Sequence, residues 1–228
     1  MRIPRQSIGL TAAVAAIVAF SGSLALSGGA VQAQAAPEHF HPKGKPPSSF
    51  TQEILQKAET TLPFTDKRDF DERKKGFIAP AENLKIMADA GHVAWDMERF
   101  DFLNDSKGFS SVHPSLHRIS TLNMNYGLYE VIPGIYQVRG FDLADISFVR
   151  GKTGWIVIDP LTTAEPARAA LELFQKHVGK GLPVTAVIYS HSHGDHWGGV
   201  RGVVDEADVR AGEVQIIAPR DFMQHTIS

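Results

Sequence analysis

Cysteine is absent from the chain. No disulfide can form, so stability has to come from the core alone. A basic surplus is missing too: 23 Lys and Arg stand against 25 Asp and Glu, a formal charge of −2. That balance gives no electrostatic footprint for nucleic acid. The first residues are, by contrast, rich in apolar side chains. Arg2 and Arg5 precede an apolar stretch over residues 8–26, and small residues then end in Val31-Gln32-Ala33 and Ala33-Gln34-Ala35. This is the pattern of a secretory signal peptide over residues 1–33, with cleavage after Ala33 or Ala35; an uncleaved membrane anchor is the alternative that the length allows. The mature protein is therefore expected to be periplasmic or secreted, with no membrane span once the leader is gone. Losing residues 1–33 removes two arginines and no acid, which moves the formal charge from −2 to −4. The remainder, somewhat under two hundred residues, suits one ordinary domain plus an extension.

Residues 34–49 are rich in Pro, Lys and Gly and read as an extended linker, with His39 and His41 in solvent. Residues 50–125 form an amino-terminal extension. In it, Ser49 with Gln52 three positions on, and with Ile54, Leu55 and Ala58 beyond, predicts a short helix stopped before Pro63. Residues 65–75 mix both charge signs densely and are expected to be a solvated loop. Residues 84–87 and 93–95 predict a hairpin, and residues 114–125 a short helix whose first turn is framed by the surface residues His113 and His117.

The pattern changes at Gly127. Residues 128–132 and 135–138 predict a hairpin turning on Pro133-Gly134, and residues 146–149 and 155–158 a second one that ends in Asp159-Pro160. Thr163 is a plausible N-cap for a helix with Pro166 in its first turn and Ala167, Ala170, Leu171, Phe174 and Val178 on one face, ending at Gly179. Residues 184–189 come next as a short apolar run without clean alternation, which suits a strand buried on both faces. Strand, helix and strand make a βαβ unit with parallel strands, so Asp159 and the loop leaving Tyr189 share the carboxyl-terminal edge of the sheet.

That loop is Ser190-His191-Ser192-His193-Gly194-Asp195-His196-Trp197-Gly198-Gly199. Three histidines and a carboxylate within six positions behind a strand are a metal site rather than a solvated histidine-rich loop. His191 and His193, two apart on an extended turn, can share one ion. Asp195 and His196 come too soon after them to join the same ion, which gives that pair a neighbouring one. Asp159 is assigned the role of accepting a hydrogen bond from a ligand imidazole or from the motif's backbone; capping a turn is its alternative. Trp197 packs under the loop. Residues 199–206 are expected to form a short helix, 214–218 a strand and 219–225 the start of a helix. A water bound to an ion at this site would have its pKa lowered to about 7.

HSHGDHWGG resembles the HxHxDH signature of the metallo-β-lactamase superfamily. The stretches GIYQVRGFDLADISFVRG, GWIVIDPLTTAE and GGVRGVVDEADVRAGEVQIIAP are similar to the zinc-dependent alkyl sulfatases within it, the linear primary-alkylsulfatase type. The resemblance implies an α/β fold: a metallo-β-lactamase-like αββα sandwich of which residues 126–228 supply the first half. It also implies two Zn²⁺ ions, His191 and His193 on one and Asp195 and His196 on the other, with a hydroxide between them that Asp195 positions as a catalytic residue. A small-molecule alkyl sulfate substrate and a homodimer of the complete protein belong to the same expectation. Family members take two glutamates and a histidine from further along; Glu206, Glu213 and His225 are not expected to replace them. The chain is accordingly expected to be an amino-terminal part, with an uncovered sheet face and an open edge. Another hydrolase of the same fold acting on a thioester, lactone or β-lactam, or a non-catalytic remnant, are the competing readings.

Overall fold

A computed structural model describes residues 45–81, 84–105 and 107–227. The expected leader, most of the linker, and His39 and His41 lie outside the described residues. Residues 46–228 form one compact unit. No described helix is long and apolar enough to cross a membrane.

The centre is a seven-stranded sheet in the order β1-β4-β5-β6-β7-β8-β9, in which β1 is Phe77–Pro80, β4 Gly127–Ile132, β5 Ile135–Arg139, β6 Ile146–Arg150, β7 Trp155–Ile158, β8 Val184–Ile188 and β9 Gln215–Ile217. The β4–β5 and β6–β7 hairpins form where turn residues separate apolar runs. Gly134 takes φ +86°, the positive value that the third residue of a type II turn requires. Helix α5 (Ala164–Phe174) crosses over to bring β8 parallel to β7, and one π-type turn over Gln175–Gly179 carries the helix to the glycine where it stops.

Alternation sorts the side chains onto two unequal faces. Leu128, Val138, Ile146, Phe148, Val157 and Val187 point to one face and have no exposure. Phe174 of α5 seals that face: its ring stacks on Phe148 at 4.1 Å and meets Trp155 edge-on at 4.8 Å. Trp155 Nε1 donates to the Gly179 carbonyl at 3.3 Å, which satisfies the one polar atom of that ring. Val149, Ile156, Ile158 and Ile188 point to the opposite face and are only half-buried. The strand at 184–188, expected to be buried on both faces, is therefore enclosed more fully on one face than on the other, where Tyr129 of β4 is covered but these four side chains are not sealed. Edge strand β9 is exposed at all three positions.

The expected 84–95 hairpin is present as β2 (Lys85–Met87) and β3 (Val93–Asp96). It sits against α5, with Asp89 N–H donating to Glu165 at 3.0 Å and Arg168 paired to Asp89 at 3.3 Å. Helix α1 (Ser49–Thr61) ends before Pro63 as expected, though its cap is Ser48, whose hydroxyl accepts from Thr51 N–H. Two further expectations need correction. Within residues 65–75 a short helix, α2 (Arg68–Glu72), replaces the loop. Its charges have specific partners on α4 (Pro114–Asn123), with Asp69 bound to Arg118 at 2.5 Å and Arg73 donating to the Thr121 carbonyl at 2.7 Å. Over 199–206 there is only a 3₁₀ turn at Val200–Gly202, and the regular helix α6 begins at Glu206. Gly198, Gly199 and Gly202 weaken helix formation there and press the backbone against residues 160–164, where a Cβ would collide.

Candidate metal centre

The register Ser147↔Ile158 and the parallel pairing of β7 with β8 bring three connections to one edge of the sheet: the loop before β6, the loop after β7 and the loop after β8. Residues 190–199 occupy the last of these. Asp159 is the first residue beyond β7, and its N–H still donates to the Ile188 carbonyl at 3.0 Å. Its φ of 55°, with 62° two residues later at Leu161, turns the chain sharply and aims the carboxylate at the motif. A left-handed backbone costs energy at any residue but glycine, and such strain gathers where function fixes it.

Three donors converge on that carboxylate. Ser190 N–H donates to Oδ1 at 2.8 Å, Ser190 Oγ donates to Oδ2 at 2.6 Å, and His196 Nδ1 donates to Oδ2 at 2.8 Å. The donor count then fixes the imidazole tautomers. With its own proton given to Asp159, Ser190 Oγ must accept from His191 Nδ1, 2.8 Å away. His191 and His196 thus both carry their proton on Nδ1 and turn a bare Nε2 lone pair outward. This is how metal-ligating histidines are usually held.

Those lone pairs face other ligand atoms. His191 Nε2 lies 3.1 Å from His193 Nδ1, and His196 Nε2 lies 3.4 Å from Asp195 Oδ2. The second contact opposes two acceptors, which only a proton or a cation between them makes favourable. Two nitrogens bound tetrahedrally at 2.0–2.1 Å to one zinc stand about 3.3 Å apart, so the first spacing also fits a shared ion. The His191 and His196 rings are 4.0 Å apart, which makes the two pairs neighbours. Asp159, His191 and His196 offer ligand atoms within 4.8 Å of one another. Both oxygens of Asp159 are already taken by hydrogen bonds, however, so it stands behind the imidazoles rather than among the outward-facing atoms. The donor set of imidazole and carboxylate therefore fits a metal such as zinc.

Trp197 packs, as expected: it is half-buried, donates from Nε1 to the Ser192 carbonyl at 3.0 Å and meets Phe222 edge-on at 6.1 Å. Glu206 is bound by Arg201 and Arg210, and Glu213 and His225 are exposed. His113 is a cap residue whose Nδ1 accepts from Ser115 N–H. A cavity of about 420 Å³ lined in part by Trp95, Met97, Arg139, Asp142 and Asp145 opens at the same sheet edge. Two residues here have no role that the sequence pattern assigns. Ser190 is visible in it as a hydroxyl directly before the first histidine. Asp142 carries no signal beyond lying in GFDLAD, since its partner Thr162 is twenty positions away.

Residues 139–227 match the profile of the Metallo-beta-lactamase superfamily. The chain is 47% identical over 184 residues to an (R)-specific secondary-alkylsulfatase of Pseudomonas sp. and 46% identical over 185 residues to a linear primary-alkylsulfatase of Pseudomonas sp.. It is 43% identical over 167 residues to an alkyl/aryl-sulfatase of Saccharomyces cerevisiae. These alignments cover 81%, 81% and 73% of this chain but only 28%, 27% and 26% of the relatives, so the chain spans little more than a quarter of their length. The solved structure of the stereoselective inverting sec-alkylsulfatase Pisa1 from Pseudomonas sp. superimposes with a TM-score of 0.73 at 47% identity, over 80% of this chain and 28% of that one.

Proposed function

We propose, because this chain belongs to the metallo-β-lactamase superfamily and is related within it to the alkylsulfatases, that the protein it forms part of hydrolyses alkyl sulfate esters to alcohol and sulfate. The supporting observation is the pair of outward-facing contacts, His191 with His193 and His196 with Asp195, each at a spacing that suits one cation. We assign the four residues as ligands of two zinc ions, one for each pair.

Bound zinc would supply hydroxide near neutral pH and positive charge for the oxygens of an anionic ester. The chain's own residues do the rest. His191 and His193 hold one cation and Asp195 and His196 its neighbour, and Asp195 also orients the attacking oxygen. Asp159 keeps the proton of His196 on Nδ1, and Ser190 does the same for His191, so that neither ring turns its N–H toward the substrate. Remaining metal ligands and the surface that selects the alkyl group are assigned to the part of the protein beyond these residues, together with dimerisation. Export rests on the leader pattern of residues 1–33; recovery of the protein in the cytoplasmic fraction would exclude it.

The test is release of inorganic sulfate from dodecyl sulfate and from a secondary alkyl sulfate by the complete, zinc-loaded protein, with nitrocefin as the control. Sulfate from either ester, no nitrocefin turnover, and loss of at least a hundred-fold on His193→Ala are expected. Nitrocefin or thioester hydrolysis without sulfate release would overturn the assignment.

A further inference from the structure

Among the described residues Asp142 is the one buried carboxylate, 9% exposed, and the proposed reaction gives it no role. It lies in the loop between β5 and β6, outside the histidine motif. Its Oδ2 accepts from Thr162 N–H at 2.7 Å, and its Oδ1 accepts from the Thr162 hydroxyl at 3.0 Å and from Leu143 N–H at 2.6 Å. Three hydrogen bonds converge on this one carboxylate, and two of them clamp a single residue. That residue sits in the strained loop that begins with Asp159 and Leu161.

The clamped loop touches the metal motif by two routes. Asp159 itself binds Ser190 and His196. The Leu161 carbonyl accepts from Gly199 N–H at 2.9 Å, and the Thr162, Pro160 and Thr163 carbonyls lie so close to Gly198 and Gly199 that a Cβ on either glycine would collide with them. The loop therefore grips the motif at both ends, before His191 and after His196. Two left-handed residues in three do not hold that shape unaided.

We propose that Asp142 is a positioning residue of the metal centre: by clamping Thr162 it holds the 159–163 loop in its left-handed shape, and through that loop it fixes the ring orientations and tautomers of His191 and His196. The zinc part of this inference rests on the function proposed above; the tautomer part does not.

The experiment compares the complete protein with Asp142→Asn and with Val138→Ala, a β5 core variant that takes no part in the clamp's hydrogen bonds and is chosen to lower thermal stability. In Asp142→Asn the amide nitrogen must meet one backbone N–H donor to donor in either orientation, that of Thr162 or that of Leu143, so the clamp is weakened while the side chain keeps its size. Metal-free protein is examined by histidine ¹⁵N NMR, and zinc affinity is measured by competition with a chromophoric chelator well below either melting temperature. Expected are a mixed tautomer signal for His196 in Asp142→Asn and a zinc affinity about ten-fold weaker, the lower range for residues that orient ligands, with neither change in Val138→Ala. If both variants lose stability alike and both keep the His196 Nδ1–H signal and the zinc affinity, the inference is overturned. A wild type that binds no zinc, with the tautomer still lost in Asp142→Asn, would sink the metal reading and leave the positioning role standing.

Discussion

Ser190 shows how much one small side chain can settle. Its hydroxyl donates to Asp159 and accepts from His191, so it links the carboxylate to the first ring of the motif. It is exposed, and its removal takes little packing with it. Ser190→Ala is therefore expected to weaken zinc binding about ten-fold in the same chelator competition while moving stability by less than about 1 kcal/mol; unchanged affinity would show that His191 needs no partner on Nδ1. Asp145 behaves differently. Partial desolvation where it borders the cavity pushes its carboxyl above the ordinary value of 3.8, against the pull of Arg139 and the Gly140 N–H, although the residue as a whole is exposed and the effect on stability is correspondingly small. A raised carboxyl binds its proton more tightly in the folded than in the unfolded chain, so its contribution to stability is present at low pH and is lost as pH rises through the shifted value. Asp145→Asn, which keeps an acceptor for Gly140, should raise urea stability at pH 7 and change it little at pH 3.5. An equal gain at both pH values would place the effect elsewhere.

At the scale of elements, α5 is the part on which the site depends most. It closes the crossover that brings β7 beside β8, and Phe174 anchors it without exposure between Phe148 and Trp155. Phe174→Ala is expected to cost about 3–5 kcal/mol by denaturant unfolding; a loss below about 1 kcal/mol would mean that the helix is held mainly by the β2–β3 hairpin. Both hairpins, the crossover and the shared edge were legible because Gly and Pro interrupt strongly apolar runs, and because Thr163 and Pro166 mark the helix start. The short α2 was not legible. Its charges looked solvated in sequence, and the partners that order it, Arg118 and the Thr121 carbonyl, are about fifty positions away. Asp142 stayed hidden for the same reason, whereas the candidate ligands, all within six positions, could be picked out by spacing alone.

For the molecule as a whole, the two faces of the sheet set the solution behaviour. One is sealed by α5 and the other leaves Val149, Ile156, Ile158 and Ile188 half-exposed, while β9 presents exposed Ile216 and Ile217 along an edge that no other strand pairs with among the described residues. A free edge beside apolar surface favours strand-to-strand association. These 228 residues expressed alone should self-associate with rising concentration in light scattering, and Ile217→Lys should suppress this without altering zinc affinity. Monodisperse behaviour of the unmodified chain at high concentration would contradict that expectation. The crossover has one more consequence, and it concerns time. His196 and Asp159 are 37 positions apart and meet only through the closed βαβ unit. The imidazole therefore cannot settle into its binding orientation before that long loop has closed, a slow event compared with forming a local turn. Metal capture should then lag behind helix formation in refolding, and the arrival of the ion would report when the two parallel strands have found each other.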